Sequence, residues 1–191
     1  MRHKITPQQW GPVAWYFFHI ISFTFPTEED EINKKKYFYT EFYNIISNLL
    51  PCLTCQNHYK HILKAKPVNT NTVSNRDDLI KWVLNTHNVV NIITGKKKYD
   101  LERLLSLYIV NNQININHKL LIKFLFYIIV TPSPHRNINY KNIFLDKLFK
   151  NLMETFPCSY CRKKIKELYP MYSNKISSLK KLLIILLKDH K

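Results

Sequence analysis

The two glycines of this 191-residue chain, Gly11 and Gly95, stand far apart, and neither belongs to a cluster. Dinucleotide-binding loops and P-loops need several glycines within a few residues, so that the backbone can approach a phosphate closely. Both are therefore excluded. The rest of the chain is rich in Leu, Ile, Lys and Asn, in long stretches whose apolar residues recur every three or four positions. That period belongs to amphipathic helices, so the expected fold class is all-α. Hydrophobic residues make up 46% of the chain, enough for one substantial core or two small ones.

All four cysteines fall in two Cys-x-x-Cys pairs, Cys52/Cys55 and Cys158/Cys161. The first lies in Pro51-Cys52-Leu53-Thr54-Cys55-Gln56-Asn57-His58-Tyr59, after an apolar run from Tyr43 to Leu50. Proline favours a helix start, so the spacing predicts Cys52 in the first turn of a helix reaching about Ala65. Two cysteines three apart share a helix face and can close a small disulfide. The positive end of the helix dipole favours a thiolate at the first of them. Such a pair suits a disulfide that opens and closes. In a reducing compartment, Cys-x-x-Cys pairs are typically catalytic or metal-binding.

The formal charge is +16, but the lysines are scattered or in short runs (34–36, 96–98), with no nucleic-acid module around them. Solubility and general attraction for anions account for the charge, and no specific nucleic acid is expected. Residues 1–10 lack the apolar core of a secretory signal. The longest apolar runs, 13–25 and 124–130, are too short to span a bilayer. No export and no membrane partner are expected.

Taken in order, residues 8–25 predict a helix buried nearly all round, with Gly11-Pro12 marking its start and Pro26 its end. Trp15 and His19 are four apart and share a face. A second helix is predicted over 31–50, then the cysteine helix, then a polar loop over 66–75. A fourth helix, capped by Ser74 or Asn75, runs from Arg76 to about Thr94 and carries Trp82, His87, Asn88 and Asn91. Gly95 ends it.

Trp-Gly-Pro-x-x-Trp-x-x-x-His, Cys-x-x-Cys-x-x-His-Tyr, Trp-x-x-x-x-His-Asn-x-Val-Asn and Gly-Lys, in this order over residues 8 to about 100, resemble the Erv/ALR flavin-linked sulfhydryl oxidases. The resemblance implies a four-helix bundle with a short fifth helix, holding FAD beside the redox-active pair. It assigns Trp15 and His19 to the flavin and adenine regions, with Gly11 permitting close approach. His58 and Tyr59 would line the pocket below the disulfide, and Trp82 would wall the ring system. His87, Asn88 and Asn91 would bind the adenosine, and Lys96, helped by Lys98, the diphosphate. Tyr99 stands at a family aromatic position, and Leu101 replaces a structural cysteine of several members. In the implied reaction a dithiol attacks Cys52, and Cys55 passes the electron pair to FAD and then dioxygen, giving hydrogen peroxide. The implied partners are a protein dithiol or thioredoxin-like carrier and O2.

A shift of 106 residues lays Pro51, Cys52 and Cys55 on Pro157, Cys158 and Cys161, and Phe18 on Phe124, which reads as an internal repeat. The repeat lacks the flavin residues: Trp15 maps to Leu121, His19 to Leu125 and His58 to Lys164. The expected organisation is a FAD-binding oxidase domain over 1–100 and a degenerate helical half over 101–191. The second half, with helices near 101–111, 118–130, 139–156, 158–170 and 176–189, would pack against the first. The expected assembly is a homodimer or a monomeric pseudo-dimer. Cys158 and Cys161 are a shuttle disulfide or a structural remnant, the duplication favouring the remnant. Two readings from other classes are a four-thiolate zinc protein and a basic nucleic-acid-binding helical protein. The His-Asn-x-Val-Asn helix, the tryptophans and the absence of a ribbon-like hairpin around the pairs count against the first, so no metal ligand is assigned, and the lack of a nucleic-acid module counts against the second. A duplicated Asn/Lys/Ile-rich member fits, by analogy, a large DNA virus acting in the host cytoplasm and in its virion.

Overall fold

The computed structural model describes residues 5–132, 138–172 and 176–189. Helix α1 (Pro7–Phe23) is the centre of the molecule, and from Val13 onward it is mostly buried. It starts four residues earlier than Gly11-Pro12 suggests. Pro7 occupies the first turn, and the Thr6 N–H donates to Gln9 Oε1 at 2.8 Å, so the capping box outweighs the Gly-Pro signal. Helix α2 (Glu29–Ile46) ends before the expected Leu50, because residues 47–50 tighten into turns leading to Pro51.

Helices α3 (Leu53–Ala65) and α4 (Arg76–Ile93) follow, the latter capped by Asn75, whose side chain accepts the Asp78 N–H. Gly95 ends α4 at φ +69°, a conformation that strains any residue with a Cβ.

Helix α5 (Leu101–Tyr108) stops short of the expected 111. The chain instead makes a two-stranded hairpin, β1 (Ile109–Val110) and β2 (Gln113–Ile114). Asn111 and Asn112 turn it at φ 50° and 60°, the doubly left-handed geometry that asparagine tolerates best after glycine.

Helices α6 (His118–Val130), α7 (Ile138–Thr155), α8 (Ser159–Tyr172) and α9 (Ile176–Lys188) complete the chain within two residues of expectation. The buried Lys141 amine donates to the carbonyls of Ile129 and Thr131, capping α6.

Helix α1 packs on α4 and α6, α2 on α7, and α8 and α9 close the far side. The central core interleaves both halves: Phe17 meets Phe42, Phe124 and Phe156 at centroid distances of 5.6, 5.5 and 6.0 Å. Phe18 meets Phe124, its own counterpart under the 106-residue shift, edge to face at 5.7 Å. Each such ring contributes about 2–3 kcal/mol on burial, and the core binds α1 to α6 as tightly as to its own half. A smaller cluster of Phe23, Ile80, Leu84 and Leu104 seats α5. Among the described residues no helix is long and apolar enough to cross a membrane.

Candidate active site

Cys52 is the N-cap of α3, one residue outside the helix where the first turn was expected, and it forms a disulfide with Cys55. The turn holding it is closely specified. The Cys55 N–H donates to Cys52 Sγ at 3.2 Å, and the Gln56 N–H to the Cys52 carbonyl at 2.9 Å. The fully buried Gln56 amide donates to the carbonyls of Leu50 (2.9 Å) and Asn48 (3.1 Å), fixing the approach to Pro51. N–H groups aimed at Cys52 stabilise its thiolate whenever the disulfide opens.

Cys55 opens onto a cavity of about 470 Å³ between α1, α3 and α4. Its walls carry Trp10, Gly11, Pro12, Trp15, Phe18, His58, Tyr59, His87, Asn91, Tyr99 and Tyr108, and its rim Lys96, Lys97 and Arg103. A Cβ on Gly11 would meet no protein atom within 4 Å, so the space left by the missing methyl belongs to the cavity. The Trp10 indole N–H and the Tyr59 hydroxyl are buried with no partner among the described residues. An aromatic chamber with two unanswered donors among its lining residues and cations at its rim suits a flat, largely apolar ligand bearing an anionic tail.

Trp15 stacks on His87 with centroids 4.1 Å apart and planes 10° apart. His87 Nδ1 lies 3.0 Å from His19 Nε2, so one nitrogen holds the shared proton. Burial, then the neighbouring His87, pushes His19 down to about 3; burial, then the Lys96 charge, pushes His87 down to about 4. Both imidazoles are neutral at physiological pH, leaving the cationic charge of the site to its rim. Burial raises the Tyr59 phenol far above its ordinary range, so it remains a neutral donor.

Of the residues expected from the sequence, Gly11, Trp15, Cys55, His58, Tyr59, His87, Asn91, Lys96 and Tyr99 line the cavity. His19 stands one layer behind, holding His87. Three other expected residues lie elsewhere or have partners of their own. Trp82 is not part of the lining: its indole N–H donates to the Lys66 carbonyl and its ring packs on Tyr43. Asn88 is committed to the backbone, its amide donating to the Tyr99 carbonyl and its oxygen accepting the Tyr99 N–H, both at 2.8 Å. It ties the 96–99 segment down. Lys98 does not reach the lining, and Lys97 does.

Sequence reasoning missed Trp10, Tyr108 and Arg103. The Arg103 guanidinium lies 5.0 Å from the Tyr99 ring centroid, and Tyr108 closes the chamber against His19 and Tyr16. The places of Arg103 and Tyr108 depend on α5 folding back over α1, which no local motif announces, whereas Trp10 stands on α1 beside Gly11.

Cys158 is half-buried and Cys161 buried, with burial raising the Cys161 thiol. Their turn repeats three bonds of the first. The Cys161 N–H donates to Cys158 Sγ at 3.2 Å, the Arg162 N–H to the Cys158 carbonyl at 2.9 Å, and the Arg162 guanidinium to the Phe156 carbonyl at 2.6 Å. Among the described residues the two cysteine pairs do not assemble a four-thiolate centre.

The sequence profile of the Erv1 / Alr family matches residues 12–113. Probable FAD-linked sulfhydryl oxidase R368 of Acanthamoeba polyphaga mimivirus is 37% identical over 93 residues, 49% of this chain and 64% of that protein. FAD-linked sulfhydryl oxidase ERV1 of Oryza sativa is 32% identical over 100 residues, 52% of this chain and 49% of its own. Mitochondrial FAD-linked sulfhydryl oxidase ERV1 of Saccharomyces cerevisiae is 27% identical over 100 residues, 51% and 50% respectively. The chain thus spans less than two thirds of the length of each of these relatives. No solved structure matches it significantly.

Proposed function

The chain belongs to the Erv1 / Alr family, and from that premise we propose that it is a FAD-dependent thiol oxidase. It would oxidise protein dithiols to disulfides and reduce dioxygen to hydrogen peroxide. One observation carries the reading: the Cys52–Cys55 disulfide presents Cys55 to an aromatic cavity with cations at its rim.

The residues fit FAD. Trp15, Phe18 and Tyr59 offer apolar and aromatic surface for the ring system, and the unanswered Trp10 and Tyr59 donors suit its polar edge. His87 and Asn91 suit the adenosine, and Lys96, Lys97 and Arg103 the diphosphate. When bound, FAD accepts an electron pair from a thiol and hands it to dioxygen.

The chain's own part is thiol–disulfide exchange. A substrate thiolate attacks Cys52 Sγ, the Cys52–Cys55 bond breaks, and Cys55 leaves as a thiolate facing the cavity. A second substrate thiolate then attacks the substrate sulfur of the mixed disulfide and releases Cys52. The N–H donors at the start of α3 make Cys52 a good leaving group in that step. The two electrons lost by the dithiol are those delivered at Cys55, so each dithiol oxidised yields one disulfide and one hydrogen peroxide.

The second half takes the place of a second subunit, making the chain a monomeric pseudo-dimer with a flavin domain over 1–100 and a degenerate repeat over 101–191. The pairing of α1 with α6 and α2 with α7, the contact of Phe18 with its counterpart Phe124, and the matched cysteine turns support this. The substrate class is a protein dithiol or a thioredoxin-like carrier. Likeness to the mimivirus protein supports a viral setting, and the place of action proposed with it is the host cytoplasm. The test is oxygen uptake by the FAD-loaded chain with reduced dithiothreitol and with a reduced thioredoxin-like protein. We expect one peroxide per dithiol, and a FAD-saturated chain that consumes no oxygen would overturn the reading.

A further inference from the structure

We infer that the second Cys-x-x-Cys pair is half of a metal site: His118, Cys158 and Cys161 form a three-ligand centre for a zinc-type divalent cation. The three ligand atoms all lie within 4.8 Å of one another, and they come from the starts of two helices, α6 and α8. Zinc bonds of about 2.0–2.3 Å place tetrahedral ligands about 3.3–3.8 Å apart, so small side-chain rotations close the site. Thiolate and imidazole are the donor set that selects zinc over magnesium or calcium. Coordination displaces the two thiol protons to solvent, and a fourth donor completes the sphere. No electron changes hands.

The supports are rigid, as a metal site needs. The N-cap Asn117 side chain accepts the Leu120 N–H at 3.2 Å, and the Asn117 N–H donates to the Tyr16 hydroxyl at 2.5 Å, fixing the backbone beside His118. The Cys161 N–H points at Cys158 Sγ, which stabilises the thiolate form. His118 and Cys158 are half-buried, so a cation has a way in, while Cys161 is fully buried.

A redox role is the competing use of these sulfurs, and the surroundings oppose it. The first pair faces a cavity, and the side chains that would frame a second one are aliphatic and packed: Leu121, Leu125 and Ile165 stand at the positions of Trp15, His19 and Tyr59, and all three are buried. His118 stands at the position of Pro12, a cavity-wall residue in the first half. Where the first half leaves room for a ring, the second places an imidazole beside two thiols. The site would staple α6 to α8 where the Cys52–Cys55 bond cannot reach.

The test is cobalt titration of the full-length, FAD-loaded protein after chelation and mild reduction, followed by the tetrahedral d–d bands to the red of flavin absorption. We expect one cobalt per chain, displaced by zinc. The bands should be lost in Cys158→Ser, weakened at least tenfold in His118→Ala and retained in Cys52→Ser/Cys55→Ser. Zinc should raise the Tm of the wild type and leave that of His118→Ala unmoved, which separates metal binding from misfolding. Absence of the bands in the wild type, equal binding by His118→Ala, or a Cys158–Cys161 disulfide that survives the mild reduction would each overturn the assignment. None of these outcomes bears on oxygen uptake, so the oxidase reading stands or falls separately.

Discussion

The turns around Cys52–Cys55 and Cys158–Cys161 share their hydrogen bonds and differ in what they face. Each has a helix-start N–H aimed at the first sulfur and a side chain six residues on reaching back to a carbonyl, Gln56 to Leu50 and Arg162 to Phe156. The first turn opens onto the aromatic cavity; the second has buried Leu121, Leu125 and Ile165 at the positions matching Trp15, His19 and Tyr59, and lies beside His118. A Cys-x-x-Cys turn therefore specifies a place for two sulfurs, and the neighbouring helix decides their chemistry. In the first half that neighbour is α1, which offers Trp15; in the second it is α6, which offers His118.

The sharpest way to break the comparison is to exchange serine for cysteine in each turn. Cys55→Ser should lower dithiothreitol turnover at least ~10³-fold, because the electron pair then has no sulfur at the cavity. Replacing Cys158 and Cys161 together should change turnover with dithiothreitol and with a protein dithiol by the same small factor. Selective loss with the protein dithiol would make the second pair a shuttle and end the contrast.

Acid should separate the halves next. His19 and His87 are held near 3 and near 4, below the ordinary 6.5, and the counterpart of His19 is the apolar Leu125. Between those values the unfolded chain binds more protons than the folded one. Stability is therefore complete above about pH 6.5 and falls as the pH drops towards 4 and then 3, by on the order of 3 kcal/mol or more. Chemical denaturation from pH 7 to pH 4.5 should show this, and His19→Leu should flatten the profile. An unchanged slope would mean that another group governs the acid limb.

Much of this was legible in the sequence, and the reasons are local. Helix boundaries followed caps and breakers, so Asn75, Gly95 and the Pro-Cys starts placed their elements within a few residues. The 106-residue shift was readable because Pro-Cys-x-x-Cys survives in both copies. The hairpin at 109–114 was not read, although Asn111-Asn112 carries the turn signal, because a short apolar run beside a helix looks like its continuation. The protein partners of Trp82 and Asn88 were not legible either: spacing names the face of a helix and leaves unsaid which neighbour claims it. The Lys66 carbonyl takes the one and the Tyr99 backbone the other. Arg103 and Tyr108 reach the site only through long-range packing of α5 against α1, whereas Trp10 comes with α1 itself.

Two smaller effects sharpen the comparison. Gln56→Ala removes a buried amide that satisfies two carbonyls and should cost about 2–3 kcal/mol, against about 1 kcal/mol for Arg162→Ala, whose side chain is half-buried and makes one such bond. Equal losses by urea denaturation would show that the two turns bear equal load. Between the halves, Asn112→Gly relieves a φ of 60° and should raise stability by about 0.5 kcal/mol without touching either turn; a loss instead would point to an interaction of the Asn112 side chain.

The most direct test of the central claim, that Cys55 feeds electrons into the cavity beside it, is anaerobic reduction of the FAD-loaded chain by dithiothreitol, followed at the visible flavin band. The wild type should bleach with one dithiol per flavin once its own disulfide is reduced, and Cys55→Ser should stay yellow. A chain that takes up no FAD, or a Cys55→Ser variant that bleaches as fast as the wild type, would contradict the claim.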